Sequence, residues 1–174
     1  MKILPFFLAL MILFLSFLTY RADLNRDWRD QTWMKNLTED CAAGAALYYK
    51  EESLGEGSLV FDEDQALAHI SHLLEDQKRS GASILEKTES HSKVSFFDDD
   101  LICNVFVDGV QQDSFSFSYP YRYLDEQDHE IIVKSPSVVV TLSMDAGERF
   151  RLPFLPELPV VRSTMYELVP GSIG

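Results

Sequence analysis

His69 and His72 are the first residues whose types and spacing could do chemistry. They stand three apart on a helical stretch, "EDQALAHISHLLEDQKR", which can bring two imidazoles to one side. A zinc helix of the His-Glu-x-x-His kind needs a four-residue step and an intervening glutamate, and neither is present, so both are expected to be surface histidines. The acidic runs "FFDDD" (96–100) and "DEQDHE" (125–130) are the next candidates. A calcium loop needs alternating oxygen ligands, a central glycine and a late glutamate. Asp98, Asp99 and Asp100 are consecutive and point in different directions on a strand or turn. They are expected to form a charged loop between apolar strands, which also discourages edge pairing. Around His91, "SHS" has the character of a polar loop. No Gly-x-Ser-x-Gly, no glycine-rich phosphate cradle and no Leu-Pro-x-Thr-Gly occurs. The "NLT" sequon at 36–38 falls within a predicted helix and carries little weight. No enzymatic activity, cofactor or metal is expected from these patterns.

The charge balance narrows the partners. The net charge is −13, and residues 21–50 contribute none of it: Arg21, Arg26, Arg29, Lys35 and Lys50 offset Asp23, Asp27, Asp30, Glu39 and Asp40. The charge therefore comes from residue 51 onward, and a body that acidic repels phosphate backbones, which argues against nucleic acid as a partner. Cys41 and Cys103 form neither a disulfide framework nor a zinc pattern. An oxidising exterior would permit a Cys41–Cys103 bridge. Two buried free thiols are the favoured alternative, because cysteine is commonly a small core residue.

The elements that must position these residues begin with "MKILPFFLALMILFLSFLTY". Between Ile3 and Tyr20 only the tyrosine is ionisable. The run matches the roughly 17–25 apolar residues of a membrane-spanning helix. A cleaved secretory signal needs a shorter core and small residues at its cleavage site, where this chain has bulky Leu18 and Tyr20. The reading is an uncleaved signal-anchor, with residues 3–20 in contact with membrane lipid. Lys2 favours an inside amino terminus, whereas Arg21, Arg26 and Arg29 on the far side oppose it. The size and acidity of the following domain place that domain outside.

Helix formers and opposite-charge pairs such as Arg26 with Asp30 continue past the span, and no Gly or Pro appears until Gly44. A single helix is predicted from Ile3 to Glu52, stopped by "LGEG" (54–57). Asp62 or Asp64 caps a second helix with an apolar stripe of Ala66, Leu67, Ile70, Leu73 and Leu74, ended by "SGAS". From residue 92 the pattern becomes that of strands: "KVSFF", "LICNVFVD", "VQQDSFSFSY", "EIIVK", "SVVVTLSM" and "PVVRSTMYELV". "VDGV" (107–110) is a type I′ hairpin signal, and Phe115, Phe117 and Tyr119 alternate with serines as in a half-buried antiparallel strand. "RLPFLPELP" (151–159), with three prolines in seven residues, is predicted to be an extended crossing loop. The expected fold class is α+β: a long membrane-spanning helix extending into a stalk, then a small domain with one helix and an antiparallel β-sheet. The expected divisions are 1–20 transmembrane signal-anchor, 21–53 extracytoplasmic continuation of the helix, and 54–174 α+β domain.

The segment "LTEDCAAGAALYY" after a membrane helix, with "VFDEDQALAHISHLL" and "SVVVTLSMDAGERFRLPFLP", resembles the TadE/TadG-like pseudopilins of tight-adherence pilus systems, of the Gram-positive type. The resemblance implies a non-catalytic assembly component in the cell membrane. Its partners would be other single-span pseudopilin-like subunits or a membrane assembly platform. The beginning "MKILPFF" lacks the family's glycine and its glutamate within the span. The other reading is a signal-anchored extracytoplasmic module that binds or senses a ligand.

Trp33, Leu37, Cys41, Ala45 and Tyr48 recur at three- and four-residue steps and mark one helix face, and with Ala42 and Gly44 they are the candidate interaction residues. Small residues allow close approach of another helix or sheet. Ala42 lies 22 residues beyond Tyr20, roughly 33 Å of helix, which removes it from the lipid phase. The stretch therefore reads as a joint, with Cys41 and Ala45 against the β domain, in preference to a partner groove.

Overall fold

A computed structural model describes residues 3–79, 90–125, 128–144 and 159–168. Helix α1 (Ile3–Ala45) is followed by a short α2 (Glu51–Gly55) and by α3 (Glu63–Arg79). The strands are β1 (Ser90–Phe97), β2 (Ile102–Val107), β3 (Val110–Ser116), β4 (Tyr121–Leu124), β5 (Glu130–Val133), β6 (Ser137–Met144) and β7 (Val160–Glu167). Five of them form an antiparallel sheet in the order β3-β2-β1-β6-β7, and β4 and β5 pair as a separate hairpin. The architecture is the expected α+β one.

Strand alternation gives the sheet two buried faces. Val94 and Phe96 of β1, Phe106 of β2, and Val138, Val140, Leu142 and Met144 of β6 meet the carboxyl-terminal half of α1 and the stripe of α3. The intervening Phe97, Cys103, Val105 and Val139 turn the other way and are covered by Phe117, Tyr123 and Val133 around the β4–β5 hairpin. Phe97 is the hub of this second core. Its ring lies 5.2 Å from Phe117, 5.6 Å from Tyr121 and 5.8 Å from Tyr123 between centroids.

Local chemistry sets the boundaries. Asp108 and Gly109 both have positive φ, 50° and 78°, as a type I′ turn between β2 and β3 requires. Asp62 caps α3, its Oδ1 accepting from the Gln65 N–H at 3.2 Å. Phe115, Phe117 and Tyr119 share the second core, although β3 itself stops at Ser116. The crossing loop predicted at 151–159 and the helix stop "SGAS" lie outside the described residues, except for Pro159.

The predicted continuation of α1 to Glu52 is corrected: the helix ends at Ala45. Three-residue bonds from Leu47 N to Gly44 O and Tyr48 N to Ala45 O tighten the last turn. Tyr49 then bridges to Phe61, with Lys50 N donating to Val60 O and Asp62 N to Tyr48 O. The local helix preference of "LYYKEE" yields to this pairing, which seats buried Phe61 against Phe96 at 5.9 Å. Helix formation resumes only as α2.

Phe97→Ala is expected to cost about 3–5 kcal/mol, as removal of a fully buried aromatic does. Because Tyr121 and Tyr123 lose their common partner, the β4–β5 amides should lose hydrogen-exchange protection before those of β6. Denaturant titration of the micelle-solubilised chain, with exchange read by mass spectrometry, checks both outcomes.

Candidate membrane anchor and interaction surfaces

Every residue of α1 from Leu4 to Ala22 is exposed, and the large apolar ones among them have no protein to pack on. One helix near the amino terminus is thus long and apolar enough to cross a membrane. The two aliphatic hydroxyls of this apolar run are satisfied within the helix: Ser16 Oγ donates to Ile12 O at 2.9 Å and Thr19 Oγ1 to Ser16 O at 2.9 Å. Lipid offers no alternative partner for such groups.

Beyond the apolar run the helix changes surroundings without a break. Asp30 and Met34 are its first buried side chains, and Arg162 of β7 reaches the same turn, its Nη2 donating to Gln31 Oε1 at 2.8 Å. Of the predicted interaction face, Leu37, Cys41, Ala42 and Ala45 are fully covered, while Trp33 and Tyr48 pack at the margin of the same core. The face is a joint within the molecule, made with β6, β7 and α3. Gly44 has a specific reason. The imidazole of His69 on α3 lies directly over it, and a methyl group there would overlap the ring. The expectation that His69 is a surface histidine is corrected accordingly. It is half-buried, with Nδ1 3.4 Å from Tyr48 Oη and ring centroids 5.4 Å apart. His72 is exposed and pairs with Asp76 at 3.2 Å, so the two histidines do not converge.

Of the two readings for Cys41 and Cys103, the structure has the favoured one and not the bridge. Both thiols are free and buried, in cores on opposite faces of the sheet. Burial, with Asp40 adding to it, pushes the Cys41 thiol up to about 12, and burial with Asp98 does the same for Cys103. Neither presents a reactive thiolate at neutral pH.

The triple aspartate does more than separate two strands. Asp98 Oδ1 accepts from the Phe61 N–H at 3.0 Å and Asp99 Oδ2 from the Leu59 N–H at 2.8 Å. The turn thereby latches the chain between α2 and α3 onto the sheet. Burial pushes the Asp98 carboxyl up to about 7. The Phe61 hydrogen bond opposes that rise, and the charges of Asp100 and Glu63 add to it. In "DEQDHE", Asp125 Oδ1 accepts from the His129 N–H at 2.8 Å and its Oδ2 lies 3.2 Å from His129 Nδ1, which closes the β4–β5 turn. Among the described residues no group of three or more His, Cys, Asp or Glu is placed to hold a metal ion.

A second surface was not legible in the sequence. An open groove of about 710 Å³ runs between the β2–β3 hairpin and β4, walled by Val105, Phe115 and Tyr123, with Lys93, Asp113 and Arg122 at its polar positions. Lys93 Nζ sits 5.8 Å from the centre of the Tyr123 ring, and Arg122 Nε lies 3.0 Å from Glu130 Oε1. The groove has apolar walls and ionic corners. No protein-family model, curated protein or solved structure matches the chain.

Two outcomes follow. Gly44→Ala should destabilise the domain by about 1–3 kcal/mol through overpacking, and most of that loss should vanish in the Gly44→Ala/His69→Ala pair. A double-mutant cycle measured by denaturant titration reads this coupling. For Asp98, the folded chain keeps a proton that the unfolded chain releases near 3.8. Its contribution to stability is therefore greatest below that value, is lost as pH rises to about 7, and is flat above. The change is on the order of 4 kcal/mol. Asp98→Asn retains the oxygen that accepts from Phe61 and should flatten the stability profile between these limits, as thermal melts across pH would record.

Proposed function

We propose that this protein is a single-span subunit of a pilus-like or secretion machine, with its domain outside the cytoplasm and an assembling rather than catalytic role. One observation carries the reading: the apolar span and the core of the domain are parts of a single unbroken helix. With no linker, the domain's orientation is tied to the span, so lateral contact between spans fixes the relation between the domains above them. That coupling suits a structural subunit and is unnecessary for a tethered enzyme. The resemblance of "LTEDCAAGAALYY" and the two later segments to the TadE/TadG-like pseudopilins points the same way. Buried Ala42, Ala45 and Ala46 are already occupied within the molecule, so contact between subunits falls to the span and to the outer surface of the domain.

The groove beside β4 supports the second reading, an anchored module that binds an extracytoplasmic partner, because it combines apolar walls with Lys93 and Arg122. The two readings part in a cysteine scan, made clean by the burial of both native thiols. Single cysteines at exposed Ala22, Leu24, Asn25 and Arg26 cover one turn of α1. Oxidation in native membranes should give covalent dimers or mixed dimers at one or two adjacent faces of that turn. A chain monomeric at all four positions speaks against assembly and for the binding module. Glu56→Cys, on the exposed turn after α2, should react with an impermeant maleimide in intact cells. Protection there until the cells are broken would place the domain inside.

A further inference from the structure

The apolar character of α1 does not stop with the span. Tyr20, Leu24 and Trp28 follow one another at four-residue steps and are 53%, 49% and 71% exposed. Four residues advance a helix by about 40° beyond a full turn, so the three occupy an arc of about 80°. That arc is offset by roughly 110° on average from the line of Asp30, Met34, Leu37 and Cys41. Higher on the helix the same arc carries Thr38, Ala42 and Ala46, which the domain buries, but at the level of Leu24 and Trp28 the side chains stay exposed. Trp28 thus has no packing role in the domain, in contrast to Trp33, which borders the core. Arg21 stands beside this arc with its guanidinium 6.0 Å from the centre of the Phe17 ring, its stem lying along apolar surface.

Resting on the reading of residues 3–20 as a membrane span, we propose that Tyr20, Leu24 and Trp28, with Arg21, form an interfacial belt that docks on the lipid headgroup layer and seats the domain against the membrane. Trp28 lies eight residues above Tyr20, about 12 Å along the axis. The headgroup region adds about 5–8 Å to each side of the hydrocarbon core. Helical side chains lean back over the preceding turn, which brings the indole down by about 5 Å, into that region. Tryptophan and tyrosine are the side chains that favour this level, with an apolar ring for the acyl boundary and a polar edge for the headgroups. Arg21 supplies a cation at phosphate height. The belt is continuous with the span, and lipid is already present along that side of the helix. The domain begins at Asp30, one half-turn above Trp28, so the belt leaves no long stalk between membrane and domain.

Trp33→Phe leaves Trp28 as the sole tryptophan of the full chain. In phosphatidylcholine vesicles its emission should be blue-shifted from that of tryptophan in water. Lipid brominated near the headgroup end of its chains should quench it several-fold more than lipid brominated near the chain terminus, and acrylamide in the water should quench it weakly. As a check that keeps both tryptophans, Leu24→Cys should react with a water-soluble maleimide several-fold more slowly than Glu56→Cys in the same vesicles. Emission like that of tryptophan in water, with strong acrylamide quenching, overturns the belt while leaving the span intact. So does shielding from acrylamide without bromolipid quenching, which would assign Trp28 to a protein partner such as a second copy. Removal of the chain from vesicles by alkaline wash overturns the span and the belt together.

Discussion

The rest of the molecule depends on a change of surroundings along one helix, from uncovered to packed. From Leu4 to Ala22 the side chains of α1 face outward without protein cover, and from Asp30 to Ala46 one side of the same helix is sealed in a protein core. A helix can pass between such media without losing a backbone hydrogen bond, because each is closed within four residues. What must change is the side-chain pattern. Along the uncovered run it is apolar all round, as a membrane-crossing helix would need. In the domain it narrows to a stripe of Met34, Leu37, Cys41, Ala42 and Ala45. Between them lie charged residues that neither medium buries completely. No turn or glycine intervenes, so the orientation of the sheet is tied to the axis of the span.

The sheet meets that constraint by being buried on both faces with unequal partners. Toward α1 and α3 its strands present Val, Phe and Met, and the helix answers with progressively smaller residues: Leu37, then Cys41, Ala42 and Gly44. The taper lets α3 close over the end of α1 until the His69 ring reaches the Gly44 backbone. On the far face a two-stranded hairpin is too small to cover five strands. Aromatic side chains concentrate its contacts around Phe97, and the uncovered remainder beside β4 is the groove. The groove is thus a consequence of size mismatch between sheet and hairpin, and its ionic corners Lys93 and Arg122 sit where solvent can still reach them.

What could be read in the sequence was what local pattern specifies. The apolar run, the Asp108–Gly109 turn, the Asp62 cap and six strand segments depend on neighbours within a few residues, and the structure has them close to where they were expected. Strand β4 was not expected, and "SHS" at 90–92, read as a polar loop, opens β1 instead. The small-residue face could also be placed as a joint, since periodicity and composition alone set its face and its distance from the span. The end of α1 was different. "ALYYKEE" is acceptable as helix, and only the pairing of Tyr49 with Phe61 draws it away. The aspartates of the β1–β2 turn looked like solvated charge because their acceptors' work is done for the amides of Leu59 and Phe61, about forty residues back along the chain. His69 looked exposed on its own helix, because the residue it covers belongs to another element. Each of these misreadings involves a partner distant in sequence, and the groove, assembled from β1 to β4, left no local trace at all.

The distribution of charge completes the mechanical picture. Residues 21–50 are neutral in sum, so the segment that follows the apolar run carries no net charge of its own. The surplus acid is carried by the elements packed around α1: Glu51 and Glu52 on α2, Glu63 and Asp64 at the start of α3, and Asp99 and Asp100 in the β1–β2 turn. Glu75 and Asp76 follow Leu74 on α3, which lines one pocket with Trp33 and Met34 of α1. The continuous helix is thus close to balanced in charge, and the net charge of −13 belongs to the body folded against it.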